Sequence, residues 1–294
     1  MPEGPECTIV TNQLNQEVSG WSITNIELLT GRYTKKEPDG FSAFEEVIEK
    51  NNGLYVHAVC NKGKFIYWLC MDGVIFSTLG MTGTYKTEDN KYARVRFDVR
   101  DNGQNDPTES KSLYYSDMRN FGTLKFITKN PKQELDKKLA SIGPDMLNKP
   151  CDEETWLAIC EKRKNNSLVK FLMEQKNVSG VGNIYKSESL FLAALAPHRK
   201  VGNCSEEDLL RLYTAVRTVL KNSFETGGAT IRNYSDLHNT QGNYIAFPSK
   251  ADEMMKSRIG VMVYSQTHDP HGNPVEKINL DDGRTTHWSP TIQK

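Results

Sequence analysis

The sequence predicts an α+β fold with a strand-rich first part and a helix-rich second part. Three observations carry that reading. Short β-rich segments separated by Gly, Asn and Asp turns run to about residue 130, longer segments with apolar residues three and four apart follow from residue 151, and two short strands close the chain after a Gly/Pro turn.

The chain opens MPEGPE, poor material for a core strand because proline fixes φ and lacks an N–H. Pro5 followed by Glu6 suits the first turn of a helix, and Cys7, Val10, Leu14 and Val18 recur at helical spacing. A second property of the stretch is chemical: with Met1 removed, as a small second residue permits, Pro2 is a free secondary amine beside Glu3. The segments "SITNIELL", "LYVHAVC", "KFIYWLCM", "GVIFSTLG", "YARVRFDV", "SLYYSD" and "TLKFIT" then read as strands, with one helix, "SAFEEVIEK", among them. Many short strands at turn spacing predict a sandwich or barrel over residues 1–130. The charged segment "KNPKQELDKKLASIGPDML" makes 131–150 a linker with a helical piece.

"DEETWLAICEKRK", "SLVKFLMEQ", "IYKSESLFLAAL" and "SEEDLLRLYTAVRTVLKNSFETG" predict helices over a third region, 151–230, the last stopping at Gly227-Gly228. The final region, 231–294, begins with a polar, Gly/Asn-rich loop over 231–257, of a length that is usually functional in compact proteins. "RIGVMVYS", "VEKINL" and "TTHWSP", with a turn at "DPHGNP", predict a small β-hairpin unit.

Composition narrows the class. Lys+Arg and Asp+Glu are both 37, which speaks against a generally basic nucleic-acid binder and leaves room for a local basic groove. The six cysteines include no CxxC pair, a pattern of reduced, mostly buried thiols in an intracellular protein. No basic n-region with an apolar run opens the chain, and no stretch approaches ~18 consecutive apolar residues, so the expectation is a soluble intracellular monomer with no membrane contact.

Chemistry concentrates in glycine-bearing stretches. "LGMTG" places Met81 between two glycines, and "SDMRNFG" puts Arg119 and Phe121 two apart on one face of an extended segment. Each alone reads as ordinary turn packing; displayed together, a Met, a Phe and an Arg make a wedge able to enter a base stack. "NVSGVGNIY" lies between two helical segments, where glycines allow close backbone approach and a helix N-terminus receives anions. "KGK" is either a solvated charge run or a means of placing Lys64 at the mouth of the strand-rich domain.

PEGPE, KGK before an apolar strand, LGMTG, D-x-R-x-F-G, G-V-G-N-I-Y-x-S-E-S-L-F and G-R-T-T-H-W-S-P-x-x-Q-K occur in this order. With them the chain resembles the formamidopyrimidine-DNA glycosylase/endonuclease VIII family over nearly its whole length, and Gly4 is similar to the endonuclease VIII branch. The resemblance implies an N-terminal β-sandwich, a helix–two-turn–helix domain and a β-hairpin finger. It implies a bifunctional DNA glycosylase/AP lyase of base excision repair whose partner is double-stranded DNA containing oxidised bases or abasic sites, with no cofactor. Pro2 matches the nucleophile, Glu3 its acid/base partner and Lys64 the lysine that contacts phosphate at the lesion. Met81, Arg119 and Phe121 match the residues filling the gap left by an extruded nucleotide, Asn183 the helix–two-turn–helix asparagine, and Arg284 the finger arginine that grips phosphate. Glu6 matches a recurrent acid of no assigned role.

One departure is clear. Most members close with a four-cysteine zinc finger, but Ser289 and Ile292 stand where the second cysteine pair belongs and "HDPHGNPVEK" supplies no first pair. The expectation is a zincless finger held by packing around Trp288 and Tyr264, with His268, His271 and His287 not serving as substitute ligands. Gly4 and the branch resemblance favour oxidised pyrimidines and hydantoins as substrates. Two other readings remain at this level: a damage-binding protein in which retained Met1 silences Pro2, and a tautomerase using an N-terminal proline as base.

Overall fold

The computed structural model describes residues 2–102, 109–229, 236–244 and 260–294. Most of the expected polar loop, at 231–235 and 245–257, lies outside these residues. The chain divides into two compact units: one holds Pro2, residues 6–140 and 231–241, and the other holds 3–5, 141–230 and 242–294.

The first unit is built on α1 (Gly4–Val18) from Glu6 onward, α2 (Phe41–Lys50), α3 (Pro131–Ala140) and, among the described residues, eight strands. These are β1 (Trp21–Leu28), β2 (Leu54–Lys62), β3 (Phe65–Cys70), β4 (Gly73–Thr78), β5 (Gly83–Lys86), β6 (Ala93–Asp101), β7 (Ser110–Asp117) and β8 (Thr123–Ile127). They form one antiparallel ladder in the order β5-β7-β6-β1-β2-β3-β4-β8. The link between its halves is thin: β1 meets β2 only through Ser22↔Tyr55 and Ile23↔Leu54. The halves share a core, because Trp68 on β3 stacks on Phe97 of β6 at 5.4 Å and packs against Tyr85 of β5 at 5.7 Å. The expected sandwich is therefore a single sheet folded over on itself. Cys7, Val10, Leu14 and Val18 all face this core, as their spacing predicts. Strand β5 escapes a pattern reading: its four residues, GTYK, are all buried although only Tyr85 is a large apolar side chain.

The second unit contains α4 (Glu153–Lys162), α5 (Leu168–Met173), α6 (Asn183–Leu192), α7 (Glu206–Glu225) and the pair β9 (Glu276–Asn279) and β10 (Thr285–Trp288). Local chemistry sets the helix starts. Asp152 caps α4 by accepting from Thr155 N at 2.8 Å, Ser167 caps α5, and Ser205 and Asp208 close a reciprocal capping box on α7. Gly227 and Gly228, at φ +84° and +96°, stop α7 in the left-handed region that glycine adopts without cost. Trp156, Phe171 and Tyr213 interlock as the aromatic core, with the Trp156 indole donating to Leu209 O at 2.9 Å.

One expected strand is not formed by its described residues 262–264. Residues 262–264 of "RIGVMVYS" pair with no strand; the backbone N–H groups of Met262, Val263 and Tyr264 donate instead to the buried carboxylate of Glu188 on α6 at 2.6–3.0 Å. A side chain more than seventy residues upstream satisfies the donors that a strand would have paired. The remaining two segments form the hairpin β9–β10, in register from Thr285↔Asn279 to Trp288↔Glu276.

Among the described residues no helix is long and apolar enough to cross a membrane.

Candidate active site

Helix α1 begins two residues after Pro2, which is buried. Glu3 is fully buried and its carboxylate is received by the first turn of α6: Gly182 N donates to Oε2 at 2.7 Å, Ile184 N to Oε1 at 2.9 Å and Tyr185 N to Oε2 at 3.4 Å. The N-cap residue of α6 is Gly182, which has no side chain to offer, so a carboxylate from far away in sequence takes the cap's place. Gly4 N donates to Gly180 O at 2.8 Å, and a Cβ on Gly4 would stand 2.8 Å from Gly180 Cα. Glycine at position 4 is thus what lets the N-terminal segment lie against the turn preceding α6. That turn is itself shaped by Gln175, whose amide accepts from Gly180 N at 3.1 Å and donates to Val181 O at 2.8 Å.

Lys64 sits half-buried in the β2–β3 turn, after Gly63 at φ +56°. Asn61 Nδ2 bridges Gly63 O and the Thr8 hydroxyl, each at 3.0 Å, and Cys7 Sγ donates to Lys64 O at 3.8 Å. The turn carrying Lys64 is therefore tied to the helix that follows Pro2.

Met81, Arg119 and Phe121 come together at the end of the sheet. Arg119 Nη1 lies 3.5 Å from Met81 Sδ, and Phe121 is 60% exposed, a large value for a phenyl ring. Buried Asp117 organises both loops: Oδ1 accepts from the Thr82 hydroxyl at 2.5 Å and from Arg119 N at 3.2 Å, while Oδ2 accepts from Gly122 N at 2.7 Å. A Cβ on Gly80 would meet Gly122 N at 2.6 Å, so two glycines allow the loops to touch. Asp117 lies within the motif D-x-R-x-F-G, yet a reading aimed at the projecting side chains passes over the residue that aims them.

Asn183 opens α6 and donates through Nδ2 to Thr285 O at 3.1 Å, while its buried Oδ1 has no partner among the described residues. Arg284 follows the β9–β10 turn and its side chain is exposed. The turn owes its shape to Gly283, at φ +68°.

The donor set at the end of the chain does not fit a zinc ion. Asp269 is fully buried; its Oδ1 accepts from His271 N and Asn273 N, both at 2.9 Å, and its Oδ2 accepts from Asn273 Nδ2 at 2.9 Å and from the Ser289 hydroxyl at 2.7 Å. Ser289 N donates to Gln293 Oε1 at 2.8 Å, and Gln293 Nε2 donates to Leu195 O at 2.9 Å. Burial alone would push the Asp269 carboxyl up, but these hydrogen bonds outweigh it and hold the group below the ordinary carboxylate range. His268 and His271 are exposed, and no cluster of His, Cys, Asp or Glu among the described residues suits a metal. Trp288 packs edge-on against His198 at 5.6 Å, and Tyr264 packs against His287 at 5.0 Å.

Comparison with known proteins places this architecture. The formamidopyrimidine-DNA glycosylase N-terminal domain matches residues 1–124, and the formamidopyrimidine-DNA glycosylase H2TH domain matches residues 142–235. Formamidopyrimidine-DNA glycosylases of Prochlorococcus marinus and an Exiguobacterium species are each 30% identical, over the whole length of both chains. A Lactococcus lactis mutant FPG in complex with Fapy-dG containing DNA superimposes with a TM-score of 0.78 at 26% identity, over all of both chains. The wild-type Lactococcus lactis enzyme with oxidized pyrimidine containing DNA gives 0.77 at 25%, again over all of both chains.

Proposed function

This chain belongs to the formamidopyrimidine-DNA glycosylase family, and from that premise we propose that it excises oxidised pyrimidines and hydantoins through a Schiff base on Pro2, then cuts the strand by β,δ-elimination. It is a DNA glycosylase of DNA repair, in a family whose members combine glycosylase and lyase chemistry. The observation that carries the finer reading is the reception of Glu3 by the first turn of α6, one residue from Pro2.

The roles follow from the chemistry of the groups. The Pro2 amine attacks C1′ of the damaged nucleoside; the C1′–N bond breaks and the base leaves. The Glu3 carboxylate takes the proton shed by the attacking nitrogen and returns it to the sugar-ring oxygen as the ring opens, giving an iminium between Pro2 and C1′. A proline iminium has no N–H to lose, so it stays cationic and continues to draw electrons. Loss of a C2′ proton then expels the 3′ phosphate, and a second elimination expels the 5′ phosphate. Lys64, Arg284 and Asn183 each bind phosphate of the lesion strand. Met81, Arg119 and Phe121 occupy the space vacated by the extruded nucleotide, and extrusion itself costs a few kcal/mol. The finger works without zinc, held by Asp269, Ser289 and Gln293.

The test is a panel of duplexes, each with one defined lesion, incubated with borohydride. The reading requires a covalent adduct whose peptide map assigns it to Pro2, with faster base release from oxidised pyrimidines and hydantoins than from 8-oxoguanine. An adduct on a lysine, or a preference for 8-oxoguanine, overturns it.

A further inference from the structure

We infer that Lys186 and Asp282 form a buried clamp that positions Arg284, making Lys186 a positioning residue for phosphate recognition by the finger. The inference rests on the reading of Arg284 as a phosphate contact.

Helix α6 is buried along nearly its whole length, and Lys186 lies within it with a fully buried side chain. Its ammonium pairs with Asp282 Oδ2, and the Asp282 carboxylate is also fully buried. Burial pulls the Lys186 ammonium down from its ordinary range, and the charges of Asp282 and Glu3 oppose that pull. Such a pair is weak evidence for stability, because two apolar side chains of similar volume would hold a core as well. What an ion pair adds is direction, and here the direction leads to Arg284.

The second oxygen of Asp282, Oδ1, accepts from Arg284 N at 3.1 Å, so one carboxylate joins helix α6 to the backbone of the arginine. Neighbouring residues are fastened the same way. Asp281 accepts the hydroxyl of Ser167, the cap of α5, and Thr285 O accepts from Asn183 Nδ2. The hairpin tip is thus anchored at Asp281, Asp282 and Thr285 to two helices, while the Arg284 side chain remains exposed. A two-stranded hairpin is marginal by itself, so these anchors decide where its tip stands.

The same helix holds Glu3 at its first turn, within the field of Lys186. Helix α6 therefore acts as a ruler: one end fixes the carboxylate that serves the sugar, and its flank fixes the guanidinium that serves the phosphate. Lysine suits the task because its long stem crosses the packed interior before presenting the charge.

The experiment is equilibrium binding to a duplex carrying a non-cleavable abasic analogue, measured across a salt series. The proteins are wild type, R284A, K186M, K186M/R284A and K186M/D282L. The last variant removes both charges and leaves no orphan in the core, so it remains informative if K186M alone misfolds. R284A should lose about tenfold to a hundredfold in affinity and reduce the salt slope by about one. K186M and K186M/D282L should reproduce both effects, whereas K186M should cost less than about twofold in the R284A background. Single-turnover cleavage of a preformed abasic site at saturating DNA should stay within a fewfold of wild type in K186M/D282L. Wild-type affinity and slope in K186M/D282L would overturn the clamp, as would equal losses from K186M in both backgrounds. Unchanged binding by R284A would overturn the phosphate-contact reading itself, a separate result.

Discussion

The carboxylate of Asp269 accepts the hydroxyl of Ser289 at 2.7 Å, joining a turn at one end of the finger to the turn that follows its last strand. On the zincless reading, these hydrogen bonds do the work that thiolate ligation does in a zinc finger. Elemental analysis should find no stoichiometric zinc, and strong chelators should change neither melting temperature nor activity. Asp269→Ala should destabilise the finger by about 1–3 kcal/mol, since it strands several donors. Because hydrogen bonding holds this carboxyl low in the folded state, its contribution is complete above the unfolded value near ~4 and is lost as pH falls through the lower folded value. Finger amides should therefore begin to exchange faster only below about pH 4 in a hydrogen-exchange series. One zinc per chain, lost together with activity on chelation, would contradict this.

Pro2 should be the amino terminus of the active protein, and intact mass should lack Met1. Pro2→Gly retains an amine but a primary one, so glycosylase activity should collapse while some cleavage of preformed abasic sites survives. Full glycosylase activity in a protein shown by mass to retain Met1 would sink the proline mechanism.

Glu3→Gln replaces an acceptor of three backbone N–H groups by an amide with a single acceptor oxygen and two N–H donors. Base release should fall by about 10²–10⁴ in single-turnover assays, with a stability loss of about 2 kcal/mol on melting. Base release within tenfold of wild type would remove Glu3 from the chemistry.

Phe121→Ala should leave stability within about 0.5 kcal/mol, because the ring is largely in solvent. Binding to lesion duplex should nonetheless weaken relative to undamaged duplex. Asp117→Ala should weaken it as much by freeing the Arg119 and Gly122 amides, and should also lower the melting temperature. Equal affinities of Phe121→Ala and wild type for lesion duplex would return Phe121 to the role of a surface residue.

Much of the fold is legible in the sequence where period and punctuation coincide. The face of α1 made by Cys7, Val10, Leu14 and Val18 is one case, and the Gly227-Gly228 stop of α7 is another. Misreadings occur where a distant partner decides. Residues 262–264 have the apolar character of a strand, but Glu188 takes their amides. Motif order makes the side chains expected at the site legible, whereas Asp117, Lys186, Asp269 and Asp282 are single charged residues that look like solvated surface in a linear text. Their meaning depends on partners chosen by the fold, such as Lys186 with Asp282 ninety-six positions away. The glycine of PEGPE could be quoted from the sequence, but the need for it becomes visible only beside Gly180.

The donors that receive Glu3 lie 179 to 182 residues downstream of it. A ribosome adding about 5–20 residues per second needs roughly 10–40 s to deliver them after the amino terminus has emerged. During that interval Glu3 has no helix to cap, and the end of the chain stays open to the removal of Met1 that the proposed proline chemistry requires. The order of synthesis thus separates exposure of the Pro2 nitrogen from assembly of the helix that receives Glu3, and a nascent chain cannot bury Glu3 against α6 until more than half of it has been made.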